Sequence, residues 1–235
     1  MMNFEVMRRL VAEAETGTKG MPTAQAALAH WEHDDGTLKH LRYSANAIYT
    51  YKQAGVTRIL RLTHAGDRSI EHIRAELDFI QYLVSRGIPA MPALPSRSGE
   101  RVVTLDRWTR FYAAAFELAQ GDLYLEVETL SLEQMSAWGR TMAALHLAAQ
   151  DYQPVIPERR PQWGEVVETL EAWLPTEDEL ARKALAQMQA WLCSLPTTAE
   201  DYGLIHWDLC ADNLGWDGEG YHIFDFDDAA YFWYA

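Results

Sequence analysis

The stretch HWDLCADN, from His206 to Asn213, constrains the fold more than any other part of this sequence. It follows a short apolar run, YGLIH, and precedes a second run, YHIFDFDD, which contains three acidic residues. Short apolar and β-forming runs on either side of a polar loop predict a strand, a loop and a returning strand. This hairpin combines Asp208, Asn213 and Asp225 in one candidate site.

These three residues are of the types that phosphoryl transfer to a hydroxyl requires. A carboxylate orients the hydroxyl and accepts its proton, oxygen ligands hold Mg²⁺ against the triphosphate, and a cation lies near the phosphates. The spacing His206-x-Asp208-x4-Asn213 is that of the catalytic loop of protein kinases. We therefore predict that Asp208 is the catalytic base or hydroxyl-orienting residue, and that Asn213 and Asp225 bind the metal.

The first half of the chain supplies a candidate for the cation. The runs AIYTY (47–51) and TRILRLT (57–63) are rich in β-formers and flank a turn, which predicts a strand pair. Alternate side chains of a strand share a face. Leu60 and Leu62 therefore lie on one face of the second strand, and Arg61 lies on the other.

The remaining patterns predict an α+β fold. Apolar residues from Ile70 to Val84 recur every three or four positions, as in a helix, and Glu76 borders their stripe. Two strand-like runs follow, and the later part of the chain is mainly helical, including a helix that Ser131 caps. Strands first and helices second indicate two lobes, with a boundary near Leu118 to Gly121. The predicted N-lobe covers residues 1–117 and the predicted C-lobe covers residues 118–235.

Charge and composition exclude several classes of function. The net charge of −14 argues against nucleic acid, whose phosphates require a basic surface. Residues 118–235 contain 21 Asp and Glu but 5 Lys and Arg, which indicates either a solvated surface or attraction of metal ions and cationic substrates. No apolar run approaches the ~18 residues of a membrane span. Two cysteines and no signal peptide predict a cytoplasmic protein.

A series of stretches, in their order along the chain, resembles the aminoglycoside phosphotransferase and choline kinase family. HWDLCADN resembles the family's His-Gly-Asp-x4-Asn loop, and FDFDDAAYFWYA resembles its metal-binding strand. ILRLT resembles the third strand, RAELDFIQYLVSRGIPAMP the single long helix, FELAQGD the hinge, and GRTMAALHLAA the Gly-x5-Leu-His helix. The resemblance covers nearly the whole chain.

This resemblance implies a two-lobed, protein-kinase-like fold that uses ATP and Mg²⁺. The N-lobe would contain an antiparallel sheet and one long helix, and the C-lobe would be mainly helical. Arg61, steadied by Glu76, would contact the nucleotide phosphates, and the hinge backbone would hold adenine. The implied nucleotide-binding residues are Arg61, Glu76, Ser44, Asn46, Glu117 and Ala119. His206 would hold the loop by hydrogen bonds.

The sequence departs from the family pattern in three places. Trp207 replaces a small or basic residue, and the nucleotide loop YSANAIYT has no glycine. The chain ends at YFWYA, where family members continue into further helices, so we expect a truncated protein or a fragment. Its apolar last residues favour association with another chain, such as a second copy. The roles of Trp207, Cys210, Asp227 and Asp228 stay open.

We expect an ATP-dependent phosphotransferase that acts on a hydroxyl of a small molecule, such as an aminoglycoside or an amino alcohol. The acidic second half favours a cationic acceptor. The glycine-free loop and the early end favour a second hypothesis, a non-catalytic nucleotide-binding or interaction module. A protein kinase is the third hypothesis, and it is weakened because no activation segment follows Asp225.

Overall fold

The computed structural model describes residues 3–15, 20–123, 125–156 and 160–234 of the chain. The helices in this part are α1 (Phe4–Glu15), α2 (Pro22–Leu28), α3 (Ile70–Ser85), α4 (Leu132–Gln150), α5 (Trp163–Trp173) and α6 (Glu179–Leu192). The strands are β1 (Lys39–Tyr43), β2 (Ala47–Gln53), β3 (Val56–His64), β4 (Ala93–Leu94), β5 (Val103–Asp106), β6 (Arg110–Glu117), β7 (Asp122–Leu123), β8 (Tyr202–Ile205), β9 (Leu214–Trp216), β10 (Tyr221–Ile223) and β11 (Ala230–Trp233).

An antiparallel sheet forms from the first six strands. Its order is β1-β2-β3-β6-β4, and β5 also pairs with β6. The alternation predicted for β3 is confirmed: Leu60 and Leu62 pack in an apolar core with α1 and α2, whereas Arg61 faces α3. The sheet is therefore covered on both faces, and its α3 face carries a buried charge.

The helix predicted over residues 70–84 is α3, and it joins the sheet to the second half of the chain. The Ser69 hydroxyl caps it by accepting a hydrogen bond from the His72 N–H at 3.3 Å. Its buried face carries Phe79, whose ring centroid lies 4.9 Å from that of Tyr152 and 6.0 Å from that of Phe226. One apolar core thus continues from the sheet through α3 to residues 225–228, called here the acidic segment.

Helices α4 to α6 form the bulk of the second half, as predicted. The capping box at the start of α4 is present, with the Ser131 hydroxyl accepting from the Gln134 N–H and the Gln134 side chain accepting from the Ser131 N–H. In the described part of the chain, no helix combines the length and the apolar character that crossing a bilayer would need.

The sequence predicted that the two runs flanking HWDLCADN pair with each other as a hairpin, and this prediction is wrong. Strand β8 pairs with β11, and β10 pairs with β9, so the two runs that flank the loop do not pair with each other. Strand β10 ends at Ile223, and Asp225 lies beyond it in left-handed backbone with φ of 66°. Strand β1 was not among the predicted strands. These pairings depend on distant segments, which short sequence windows do not report.

The apolar residues near the end of the chain, which the sequence suggested favour association with another chain, are partly covered within this chain. Strand β11 pairs with β8, and Phe232 and Trp233 are half-buried against a small core that includes Val167 of α5 and Leu185 of α6. The Trp233 indole also donates a hydrogen bond to the Pro196 carbonyl at 2.6 Å. Much of the apolar surface of this segment is therefore used within the chain.

We predict that Gly121→Ala lowers the free energy of unfolding more than Gly87→Ala does. Both glycines have positive φ, 83° and 79°, so alanine strains the backbone by roughly 1–2 kcal/mol at either position. At Gly121 the new Cβ would also lie 1.9 Å from the Trp216 carbonyl oxygen, whereas at Gly87 it would meet no atom within 4 Å. Urea denaturation measures the difference, and equal losses for the two variants would contradict the close packing at Gly121.

Candidate active site

Hydrogen bonds to two other parts of the chain hold the loop that contains Asp208 in place. His206 is buried, and its Nε2 donates to the Phe224 carbonyl at 2.9 Å. Burial lowers the pKa of His206, so the ring is neutral at neutral pH. The Trp138 indole of α4 donates to the Leu209 carbonyl at 3.2 Å. These contacts give His206 the holding position that the sequence predicted for it.

Asn213 fixes the position of the Asp208 side chain. Its amide Nδ2 donates to the Asp208 carbonyl at 2.9 Å and to Asp208 Oδ2 at 3.2 Å. The Asn213 carbonyl in turn accepts from the Phe224 N–H at 3.1 Å, which ties the loop to the segment that leads to Asp225. Since Nδ2 is engaged with Asp208, Oδ1 is the Asn213 atom that can serve as a metal ligand.

Trp207 has backbone in the left-handed region, with φ of 71°. Its ring meets the Phe232 ring edge-on at a centroid distance of 4.8 Å, and 39% of the residue remains exposed. The indole is therefore packed on β11 and does not lie under the loop.

Asp225 is the most electrostatically perturbed of the predicted site residues. Burial raises its pKa to about 7, the neighbouring Asp227 carboxylate adds to the rise, and Arg61 opposes it. Arg42 of β1 donates from Nη2 to Asp225 Oδ2 at 3.2 Å. Burial is the larger cause, so the surroundings of Asp225 stabilise its ionised form less well than water does. A cation beside Asp225 would favour the ionised form.

Asp227 and Asp228, whose roles the sequence left open, each have a partner from the first half of the chain. Asn46 Nδ2 donates to Asp227 Oδ2 at 2.7 Å, and the Thr63 hydroxyl donates to Asn46 Oδ1 at 2.7 Å. Arg68 forms an ion pair with Asp228. Asn46, which was predicted to contact the nucleotide, lines the acidic cavity, and its amide also holds the acidic segment against the sheet.

Arg160 is a buried residue that sequence reasoning missed. Its guanidinium donates to the carbonyls of Ala229 at 2.7 Å, His72 at 2.9 Å and Asp227. It therefore links the start of α3 to the segment that carries the acids. The sequence offered one signal, an arginine in a Pro- and Trp-containing loop, but the carbonyls that it binds come from distant segments.

The predicted pair Arg61 and Glu76 is formed, and both residues are buried. Arg61 Nη1 and Nη2 donate to Glu76 Oε1 and Oε2 at 2.7 and 2.6 Å, a bidentate geometry. The Arg61 guanidinium also lies 5.0 Å from the centroid of the Phe116 ring. The pair joins β3 to α3 beneath the site.

Two adjoining cavities bring all nine predicted site residues together. The apolar cleft encloses about 720 Å³ of space and the acidic cavity beside it about 630 Å³, in both cases including space open to solvent. The apolar cleft is lined by Ile48, Ile59, Ile80, Met91, Phe116, Leu123 and Phe224, and by Arg61, Glu76, Glu117 and Ala119. The acidic cavity is lined by Asp208, Asp212, Asp225, Asp227 and Asp228, and by Ser44, Asn46 and Asn213.

The residues of the acidic cavity fit a hard divalent cation. Their side-chain donors are carboxylate and amide oxygens, which Mg²⁺ prefers. Across the described ranges, no group of three or more His, Cys, Asp or Glu residues is arranged to hold a metal by itself. Magnesium that serves phosphoryl transfer is commonly bound by one or two carboxylates together with substrate phosphates, so Asn213 and Asp225 suit such a shared site.

Comparison with known proteins identifies relatives by sequence. The model of the phosphotransferase enzyme family matches residues 41–235. Amicoumacin kinase of Bacillus subtilis (strain 168) is 27% identical over 216 residues, which are 89% of this chain and 63% of that protein. Homoserine kinase of Cupriavidus pinatubonensis (strain JMP 134 / LMG 1197) is 28% identical over 218 residues, 85% of this chain and 63% of that protein. The chain thus spans just under two thirds of the length of these curated relatives.

Solved structures show the same fold. The structure of amicoumacin kinase hAmiN in complex with AMP-PNP, Ca²⁺ and Ami has a TM-score of 0.86 at 24% identity, over 99% of this chain and 69% of that one. The microcompartment-associated aminopropanol kinase has a TM-score of 0.75 at 27% identity, over 90% of this chain and 70% of that one. The predicted two-lobed, protein-kinase-like α+β fold is confirmed.

We predict that Glu76→Gln lowers the free energy of unfolding by roughly 3–5 kcal/mol, because it leaves the buried Arg61 charge without its partner. Glu117→Gln is the matched control, since it removes a carboxylate that lies 3.6 Å from Arg58 and is 43% exposed. It should cost no more than about 1 kcal/mol. Chemical denaturation of both variants measures the losses, and a small effect of Glu76→Gln would show that the pair does not support the fold.

Proposed function

The chain belongs to the phosphotransferase enzyme family, and we propose that it transfers the γ-phosphate of ATP to a hydroxyl of a small molecule. The single observation that carries this proposal is the convergence of Asp208, Asn213 and Asp225 on one acidic cavity that adjoins an apolar cleft. A nucleotide has the same polarity, an apolar base at one end and metal-binding phosphates at the other.

In this proposal the apolar cleft holds adenine. The cleft is lined by aliphatic and aromatic side chains and by the segment from Glu117 to Ala119. The Glu117 N–H already donates to the Pro92 carbonyl at 3.2 Å, and the Leu118 carbonyl accepts from Gln120 Nε2 at 3.2 Å. The base would therefore use other backbone groups of the segment from Glu117 to Ala119. Residues 1–117 would then act as the nucleotide-binding lobe, and residues 118–235 would supply the catalytic loop.

Asp208 is the proposed catalytic residue. Its carboxylate would orient the acceptor hydroxyl and take the proton that the hydroxyl loses as the new O–P bond forms. Asn213 holds Asp208 by two hydrogen bonds, which keeps the carboxylate in one orientation. Mg²⁺ held by Asn213 and Asp225 would neutralise charge on the phosphates during transfer. The roles of these residues agree with the chemistry of their donor atoms.

The proposed acceptor is cationic. Residues 118–235 carry a large excess of acidic residues, and Asp208 and Asp212 line the acidic cavity. The names of two relatives, a homoserine kinase and an aminopropanol kinase, denote acceptors that carry both a hydroxyl and an amino group. A protonated amine beside these carboxylates would be attracted and oriented.

We predict that Asp208→Asn lowers kcat by roughly 100-fold or more, as loss of a general base does, while ATP still binds. The measurement is Mg²⁺-dependent ADP formation over a panel of amino alcohols and aminoglycosides, with ATP affinity determined separately. Glu219→Gln, which removes an exposed carboxylate from the β9–β10 turn, is the control and should leave kcat unchanged. Full activity of Asp208→Asn would refute the proposed role, and ATP binding without transfer to any acceptor by the unmodified chain would favour the non-catalytic module.

A cationic acceptor should show a KM that depends on salt. Raising the ionic strength from about 0.01 M to about 0.1 M shortens the Debye length from about 30 Å to about 10 Å. This weakens the attraction between a cationic acceptor and the acidic C-lobe, residues 118–235. We expect KM to rise for an amino alcohol and to change little for a neutral alcohol of the same size. If KM for the two acceptors responds equally to salt, the acidic residues of the C-lobe do not select for a positively charged acceptor.

A further inference from the structure

The two cavities of the site contain two cations, Arg42 and Arg61, among the residues that line them. Arg61, the predicted phosphate contact, donates one hydrogen bond from each terminal nitrogen to Glu76. Its side chain is only 5% exposed. A strand cation that pairs with a helix glutamate can still serve the nucleotide phosphates, so Arg61 keeps its predicted role and Arg42 is the more exposed of the two cations.

Arg42 lies where the phosphates of a nucleotide would pass. It is on β1, and it lines both the apolar cleft and the acidic cavity, as Asp225 does. A nucleotide with its base in the cleft and its terminal phosphate beside Asp208 must run through the junction between these cavities. Arg42 is the cation at that junction.

The guanidinium of Arg42 has donors to spare. It carries five N–H donors, and its described side-chain hydrogen bond, to Asp225 Oδ2, uses one nitrogen. The side chain is 38% exposed, in contrast to that of Arg61. The contact with Asp225 also leaves the other carboxylate oxygen of Asp225 open to a metal ion. Arg42 can therefore hold Asp225 and bind a phosphate oxygen at the same time.

The turn between β1 and β2 has few groups of its own with which to hold phosphates. It contains no glycine, and the Ser44 N–H donates to the Asn46 carbonyl at 2.9 Å. The Asn46 amide is engaged with Asp227 and Thr63. A loop that offers few free N–H groups needs a charged side chain nearby to compensate for phosphate charge.

We propose that Arg42 is a second phosphate-binding cation of this site beside Arg61, contacting the nucleotide phosphates directly while it orients Asp225. This inference rests on the proposed function, since it assigns a residue to the same nucleotide. It adds a partly exposed arginine of β1 to the phosphate contact predicted for Arg61 of β3.

The test compares binding of ATP, ADP and adenosine to Arg42→Gln by isothermal titration calorimetry. Loss of one charge-assisted contact should weaken ATP and ADP binding roughly 10- to 100-fold and leave adenosine binding unchanged. Adenosine serves as an internal check that the cleft is folded. Lys39→Gln, which removes an exposed positive charge from the same strand, should leave all three affinities within about twofold of the unmodified chain. Unchanged ATP affinity in Arg42→Gln, or an equal loss for adenosine, overturns the assignment.

A metal-free titration separates direct phosphate contact from an effect through Asp225. If Arg42 binds phosphate itself, Arg42→Gln weakens ADP binding in EDTA as well as in Mg²⁺. If Arg42 acts only by orienting Asp225 for the metal, the difference between the variants disappears in EDTA, and the direct contact is refuted. Arg42→Lys retains the charge but not the planar guanidinium. Its affinity for ADP should therefore lie between that of the unmodified chain and that of Arg42→Gln.

The outcome is independent of whether the chain transfers phosphate. Arg42-dependent binding of ATP in a chain that phosphorylates no acceptor would support the inference and reject the proposed function. Full transfer activity with unchanged ATP affinity in Arg42→Gln would support the proposed function and reject the inference.

Discussion

The buried ion pair between Arg61 and Glu76 is the interaction on which the rest of the site depends. Two charges removed from water are tolerated only when their geometry is close to ideal, and the bidentate contact at 2.6 and 2.7 Å meets that requirement. The pair fixes α3 against β3. Since α3 also packs through Phe79 on Tyr152 and Phe226, the position of the acidic segment follows from the position of the pair.

The acidic segment is assembled from both halves of the chain. Asp225, Asp227 and Asp228 lie within four residues, and carboxylates this close repel one another unless donors surround them. Each of these carboxylates has a partner from the first half of the chain. Arg42 donates a hydrogen bond to Asp225, and Asn46 donates one to Asp227. Arg68 forms an ion pair with Asp228. The same contacts that relieve repulsion therefore also close the first half of the chain onto the second, which places the apolar cleft beside the acidic cavity.

Local signals predicted much of this arrangement because they act over a few residues. The alternation along β3, the periodicity of α3 and the cap at Ser131 all concern neighbours in sequence, and each is confirmed. The pairing of β8 with β11 was missed because its partners are more than twenty residues apart and each is only four residues long. Arg160 was missed for a similar reason, since it binds backbone carbonyls, which carry no sequence signature.

The sequence by itself pointed to Asp208, Asn213 and Asp225 as members of one site, because the spacing of HWDLCADN and FDFDD is a property of the chain. Only the tertiary structure decided which cations lie beside these residues. The strand pattern singled out Arg61, but no local pattern pointed to Arg42. Arg61 is buried against Glu76, whereas Arg42 is partly exposed at the junction of the two cavities and keeps donors for a ligand. The difference is one of solvation and partners, which exist only once the chain has folded.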